Sequence, residues 1–581
     1  MRVTRFGQPL PRVSSALTSI LLDPVGLLAN QAPMSLPPGG SPDQRLTIAG
    51  QGQTVYAQNF IVRDGGLTPR AAAVPHNTNP NPLGTLVTGG AEIVSSVESR
   101  FNLISGTTRF AWYSNGSYSP LSYVSSAGRS TPPSMTTADR TDICQIYEPT
   151  NDENLAIMSA TSSYQTLMCW KSGTTIMSTL TQAPQARWVT AFDNFLIAGN
   201  IRDTSASSKY IQRVQWSDRG NPFSWTPGGT SLAGNEDLLD AKGSIRRVMT
   251  QESRIVIFFD NEIRVGVRGT FPRVFDFHVL DGNVGTPYGR TCVDTPRGIM
   301  FLAKDWMIYL LPKEGGPAVP IGQRAQRHIR DAQIRTTPEY SWAMYDPDTT
   351  AYQLFYTNWS SQDGSSTIDV PQDAVFLNIY DGSFTAHSWR APNASGTIVA
   401  NSTTCGWVGT QAAVVTGPTW SSVSGTYEWD TYPGSWAAAG NLASTGTRRT
   451  FMGSSAGTVF YNDPDSAADL GLSIHATWHS PMLFGDAPDR LKCVNEFRVD
   501  YRNAGASKNV FVQFSAPPGT NSGFYQSRET VALASTPLPA GTAVAFPYST
   551  SQYPMFVLST TARDFQLYRF WVQARVGGRA S

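Results

Sequence analysis

The feature that most constrains this chain is a local pattern repeated along its middle: two short apolar or alternating runs separated by a tight turn of Gly, Asn, Asp or Ser. Arg254–Phe259 turns at Asp260-Asn261 into Glu262–Val267, and Ile299–Leu302 turns at Lys304-Asp305 into Met307–Leu311. Trp342–Tyr345 and Tyr352–Tyr356 flank Asp346-Pro347-Asp348, Val375–Tyr380 and Phe384–Trp389 flank Asp381-Gly382, and Arg449–Gly453 and Thr458–Tyr461 flank Ser454–Gly457. Runs of this length punctuated by turn residues are β-hairpins. A hairpin cannot bury its own faces, so a string of them between about residues 97 and 465 must stack sheet on sheet. The pattern predicts an all-β chain whose middle is a β-propeller of roughly six to eight irregular blades.

The flanks read differently. Residues 1–75 are rich in Pro, Gly and Gln and have no helical period, which predicts an extended N-terminal arm in need of a partner surface. Residues 76–465 make up the propeller-like domain. Alternating runs at His475–Trp478, Cys493–Tyr501, Val510–Phe514, Met555–Leu558 and Phe565–Ala574 predict a C-terminal β-sandwich over 466–581. One stretch breaks the β pattern: Ile321–Arg335 places Ile321, Ala325, Ile329 and Ala332 on one helical face, as a short helix crossing between blades would.

Three segments, Gln58–Leu67, Val214–Trp225 and the hairpins that follow it, resemble the β-propeller tail hub or nozzle proteins of short-tailed bacteriophages, also described as packaged-DNA stabilisation proteins, whose glycine-rich turn would here be Val279–Gly285. In that family an aliphatic residue, Trp-Ser-Asp, Gly-Asn-Pro and a further Trp precede paired apolar strands and such a turn; here these are Val214, Trp216-Ser217-Asp218, Gly220-Asn221-Pro222 and Trp225. The resemblance runs over residues 55–390 and is sharpest at 187–312. It implies a homohexameric ring of the virion tail, made in the host cytoplasm and seated below the portal and adaptor. Its channel would pass genomic DNA without sequence recognition, and tail fibres or spikes would be further partners. It implies no catalytic residue and no cofactor.

Charge and motif content fit a structural role. Lys plus Arg (44) nearly cancels Asp plus Glu (43), so any nucleic-acid contact is local rather than a broad cationic face. Local positive patches do exist: Arg264, Arg268 and Arg273 follow one strand, and Arg324, Arg327, Arg330 and Arg335 stud the helical stretch. These seven are the candidate contacts to DNA or to a neighbouring subunit, with ion pairs inside the fold as the plainer reading. Five scattered cysteines without a C-x-x-C pair argue against zinc and against a disulfide framework. The apolar stretch Ala16–Ala29, broken by Thr18, Ser19, Asp23, Pro24 and Gly26, is no membrane span.

The alternative function is a glycan-binding or glycan-cleaving propeller acting as a receptor-binding tail spike. For it, Trp216–Trp225 approximates the Asp-box turn of sialidases, and Glu236, Asp237 and Asp240 are the acids to consider. An Asp-box is itself a structural turn, and adjacent acids in a turn are usually solvated. His475 and His479 have metal-like spacing but sit in a strand pattern, and Asp346-Pro347-Asp348 and Asn462–Asp465 lack a calcium loop's ligand spacing. No nucleophile, phosphate-loop or dinucleotide motif is found, so a non-enzymatic protein is expected.

Overall fold

A computed structural model describes residues 17–22, 56–75, 89–113, 140–411, 447–515 and 528–579, apart from short internal stretches of which the longest are 358–370 and 481–489. The fold is all-β, with repeated small antiparallel sheets, a seven-stranded antiparallel sheet and a larger mixed one. The predicted hairpins form as adjacent pairs, including Arg254–Phe259 with Ile263–Arg268 and Gly298–Leu302 with Ile308–Pro312.

Seven small units of three or four strands follow one another along the chain. The first is Gly89–Ser96, Ser99–Ser105 and Phe110–Tyr113; the second runs from Thr141–Glu148 to Met177–Thr179; the third runs from Gln185–Phe192 to Gly234–Asp237. The fourth runs from Ile245–Gln251 to Phe275–Asp281, the fifth from Val293–Thr295 to Val319–Pro320, and the sixth from Trp342–Asp346 to Phe384–Ser388. The seventh combines Thr403–Gln411, Thr447–Ser454 and Val459–Asp463 with an outer strand from far upstream, Ala72–Pro75. The first strands neighbour one another in cyclic order, with the short turn Gly289–Thr291 standing between that of the fourth unit and that of the sixth, and that of the seventh unit returns to that of the first.

Period-two alternation explains the stacking. In Arg254–Phe259, Ile255, Ile257 and Phe259 join a core with Trp188, Phe195, Val214 and Trp216 of the third unit. Val256 and Phe258 point the other way, into a core with Ile299, Phe301 and Leu311 of the fifth. Met300 and Leu302 then face the sixth unit, meeting Tyr352, Leu354 and Val375. The fourth and fifth units therefore bury both faces, at about 1.5–3 kcal/mol per large apolar side chain. The helix Gln323–Gln333 fills the space between the fifth and sixth units with Ala325 and Ile329, as the face pattern predicts.

At the C-terminal end two sheets share a core of Trp478, Phe497, Phe556 and Phe570, with Phe497 and Phe556 rings 4.9 Å apart. One is centred on Arg490–Asn503 and Phe565–Arg579, and the other carries Ala476–His479, Met555–Thr560, Lys508–Ser515 and Arg528–Leu533. The second is continuous with the sixth small unit, because Tyr56–Gln58 lies between Phe384–Ser388 and Ala476–His479 and completes a nine-stranded sheet.

The described parts of the predicted arm, 17–22 and 56–75, thus pair with this chain's own strands, Leu17–Leu22 lying against Phe565–Arg579. Tyr56–Gln58 bridges the nine-stranded sheet, Phe60–Arg63 and Gly66–Pro69 add to the sheet of Phe565–Arg579, and Ala72–Pro75 completes the seventh unit. The expectation that this segment takes a partner's surface is corrected for these residues. Most of 1–55 lies outside the described residues.

Candidate functional site

The first strands bring a polar set to the centre of the cycle. Gly90, Thr141, Asp142, Arg247, Arg290 and Cys405 line a cavity of about 150 Å³ there. Asp142 pairs with Arg247 of the fourth unit, and its second oxygen accepts the Val189 N–H of the third at 3.2 Å. Arg290 donates from Nη2 to the Thr404 carbonyl of the seventh unit at 2.9 Å. Polar bonds therefore tie units across the centre that no strand pairing connects.

Burial pushes the Asp142 carboxyl above its ordinary range, against the pull of Arg247. Burial first, then the like charge of Arg140, brings Arg290 down to about 9. Burial also raises the Cys292 and Cys405 thiols, so both stay protonated and poorly nucleophilic. Arg140, Arg247 and Arg290 outnumber the carboxylate of Asp142, so the Asp142 pair and the Arg290 bond offset a mutual repulsion of cations.

The Trp216–Trp225 turn is a structural clasp. Asp218 Oδ1 accepts the N–H groups of Arg219 (3.0 Å) and Leu232 (2.8 Å), while Ser217 Oγ accepts the Leu196 N–H at 3.0 Å. Trp216 Nε1 donates to the Leu232 carbonyl and Trp225 Nε1 to that of Pro222. Gly220 takes φ +72, a left-handed conformation that suits glycine. The conspicuous residues of the turn are thus engaged in holding the loop between Lys209–Trp216 and Gly234–Asp237.

The six described candidate arginines differ in exposure and partners. Arg264 is 4 % exposed and paired with Glu262 and, at 2.8 Å, with Asp240, so its charge is neutralised inside the fold. Arg268 reaches Asp193 of the third unit at 3.2 Å and lies over the Phe195 ring. Arg273 is exposed beside Asp276 at 3.3 Å. On the helix, Arg327 and Arg330 are exposed, Arg324 is half-buried, and Arg335 lies outside the described residues.

The remaining candidates resolve into local structure. Arg213 grips Asp237 with two bonds of 2.6 and 2.7 Å and holds its carboxyl below the ordinary range. Asp240 serves Arg264, and burial raises Glu236. Asp346 caps its own turn, accepting from Thr349 Oγ1 at 2.8 Å, Gln353 Nε2 at 3.0 Å and the Asp348 N–H at 3.2 Å. His475 is exposed and its carbonyl accepts from Asn59, whereas His479 is half-buried in a strand. Among the described residues no group of three or more His, Cys, Asp or Glu side chains is arranged to hold a metal ion.

Sequence reasoning did not single out the buried arginines Arg70, Arg140 and Arg563 or the half-buried Arg247 and Arg290. Arg70, 3 % exposed, donates to Asp469, to the Ser388 carbonyl at 3.0 Å and to Asn59 Oδ1 at 3.2 Å, and so knots the upstream segment to the sixth unit and the C-terminal part. Asn59, at φ 57, also bonds the Ala386 carbonyl at 2.9 Å. The only sequence signal was an arginine inside an apolar context, Leu67-Thr68-Pro69-Arg70-Ala71-Ala72.

No protein-family model matches the chain, and no curated protein matches its sequence. Among solved structures it is similar to the Pan2 WD40 domain of Neurospora crassa, at 6% identity and a TM-score of 0.33, covering 70% of this chain and 98% of that one. It is also similar to BBS1N in complex with ARL6DN, in one crystal soaked with mercury (8% identity, TM-score 0.34, 69% and 99% covered) and one soaked with lead (9%, 0.35, 70% and 99%).

Proposed function

We propose that this chain is a structural, non-enzymatic subunit of a ring in the tail of a short-tailed bacteriophage, forming part of the channel through which DNA leaves. In this reading the seven small units are the blades of a propeller, and the ring is a homohexamer below the portal and adaptor. The resemblance of Gln58–Leu67, Val214–Trp225 and Val279–Gly285 to tail nozzle proteins supplies the identity.

The observation that carries the reading is mechanical: a nine-stranded sheet runs without a break from the sixth unit into the C-terminal sandwich, and one short segment, 56–75, is stitched into three different sheets. Such continuity suits a subunit that transmits load more than one that hinges around a substrate. Exposed apolar side chains such as Leu239 (77 %), Tyr380 (61 %) and Phe546 (53 %) are available to interfaces with copies or neighbours. The test is the mass and particle shape of the purified chain, alone and with phage neck proteins, by light scattering and negative-stain microscopy. A hexameric ring with an open channel is expected. A monomer, or a compact trimer that hydrolyses glycans, overturns the ring and transfers the assignment to a receptor-binding spike.

A further inference from the structure

A second cavity, of about 280 Å³, lies where the sixth unit, the seventh unit and the C-terminal sheet meet. Five arginines line it, Arg63, Arg70, Arg449, Arg502 and Arg563, against two aspartates, Asp346 and Asp348. Asp346 is committed to Thr349, Gln353, Thr450 and the Asp348 N–H, all of which donate to its carboxylate, while burial raises its pKa. Arg70 is neutralised by Asp469, whereas among the described residues Arg563 has no acidic partner of its own.

Arg563 is the informative residue. It is 6 % exposed, and only Nη1 is engaged, donating to the Arg70 carbonyl at 2.5 Å. Nε and Nη2, the two parallel donors on one edge of the guanidinium, are buried without a partner among the described residues. Burial and the like charge of Arg70 bring its pKa down to about 10. A buried guanidinium fork left open beside another cation is costly, and the group that relieves it is an oxyanion taken side-on by both N–H bonds.

Other open groups around the same cavity define the rest of the ligand. The Arg449 Nε and Trp389 Nε1 donors and the Gln353 Oε1 and Asn462 Oδ1 acceptors are also buried and unpartnered. Open acceptors call for hydroxyl donors, which a bare inorganic ion in its fully ionised form does not have. The volume lies just below the roughly 300–1,000 Å³ of ordinary ligand pockets, which limits the ligand to about monosaccharide size.

We propose that this seam cavity binds a small oxyanion that also carries hydroxyl groups, of the class of sugar phosphates and sugar acids. The anion sits on the Nε and Nη2 edge of Arg563, and the hydroxyls donate to Gln353 and Asn462. The site joins elements that are distant in sequence, so its occupant also cross-links the ring of small units to the C-terminal part. None of this rests on the tail-ring reading.

The experiment is isothermal titration of the full chain with glucose 6-phosphate, glucuronate, inorganic phosphate and glucose. Saturable one-to-one binding of glucose 6-phosphate or glucuronate, roughly tenfold or more tighter than of phosphate or glucose, is expected, and whichever of the two binds distinguishes ester from carboxylate. Arg563→Gln should lose that affinity by roughly tenfold or more. Because Arg563 also holds the Arg70 carbonyl, Asn462→Asp provides a second variant: it preserves volume, adds a negative charge at the cavity wall and should give the same loss with an unchanged circular dichroism spectrum. Three results overturn the proposal: no saturable binding of either sugar anion at millimolar concentration, phosphate binding as tightly as they do (an adventitious ion only), or unaltered binding in Asn462→Asp.

Discussion

Replacing Asp469 by alanine tests whether the Arg70 knot holds the molecule together. The carboxylate is 4 % exposed, takes both terminal nitrogens of Arg70 and accepts the Ala73 N–H at 2.8 Å. Removing it strands the Arg70 charge in a buried position beside Arg563 and leaves the Ala73 N–H open. Loss of one partner of a buried ion pair costs about 3–5 kcal/mol, of which the orphaned N–H alone is about 1–3. Arg70→Met combined with Asp469→Leu removes both charges at similar volume, so it should cost less than Asp469→Ala alone, although the Ser388 and Ala71 carbonyls also lose a donor. Urea unfolding followed by tryptophan fluorescence reads all three proteins. A change below about 1 kcal/mol for Asp469→Ala, or a double variant less stable than the single, would refute the claim that charge compensation in this knot is what stabilises the seam.

Two further expectations concern other parts of the molecule. His387 is buried, stacks on Phe376 at 3.8 Å and bonds Thr385 through Nε2 at 2.7 Å, and burial, then Arg70, holds its pKa well below 6.5. The unfolded chain therefore binds a proton that the folded one refuses: stability is full above about pH 6.5 and falls below it by up to about 1.4 kcal/mol per pH unit, a slope that His387→Gln should remove and that an unchanged acid limb would contradict. In the turn Val279–Gly285, a Cβ on Gly285 would come within 2.4 Å of the Glu262 nitrogen and 2.5 Å of the Phe259 carbonyl oxygen. Gly285→Ala must move backbone and should cost about 1–3 kcal/mol or more in thermal unfolding, whereas a wild-type melting temperature would mean that the turn has slack.

What the sequence made legible was whatever is decided within some ten residues. Asp260-Asn261 and Asp346-Pro347-Asp348 form turns because their side chains and backbone preferences act locally, and the unbroken apolar run Ile255–Phe259 suits a strand covered on both faces. The helix was readable from Ala325 and Ile329 for the same reason. The pairing of Ala72–Pro75 with Val459–Asp463 was not readable, because a four-residue edge strand carries no mark of the partner it will find nearly four hundred positions away. The arginines divide along the same line. Arg264, Arg268 and Arg273 drew notice as a run, yet the least exposed of them, Arg264, is spent on Glu262 and Asp240, while Arg290 and Arg563, each isolated in sequence, meet in space the cavities that give them meaning.

The stitching of the upstream segment also fixes when the chain can be finished. Leu67 pairs with Leu567, so on a ribosome adding about 5–20 residues per second its partner is synthesised roughly 25–100 s later. Through that interval the strands Phe60–Arg63 and Gly66–Pro69 present open edges, the seventh unit lacks its outer strand until Val459–Asp463 appears, and Arg70 waits for Asp469. A chain that stops short of Phe565–Arg579 keeps those edges exposed and remains a substrate for chaperones and proteases. The fold thereby makes completion of its upstream sheets depend on the strand Phe565–Arg579.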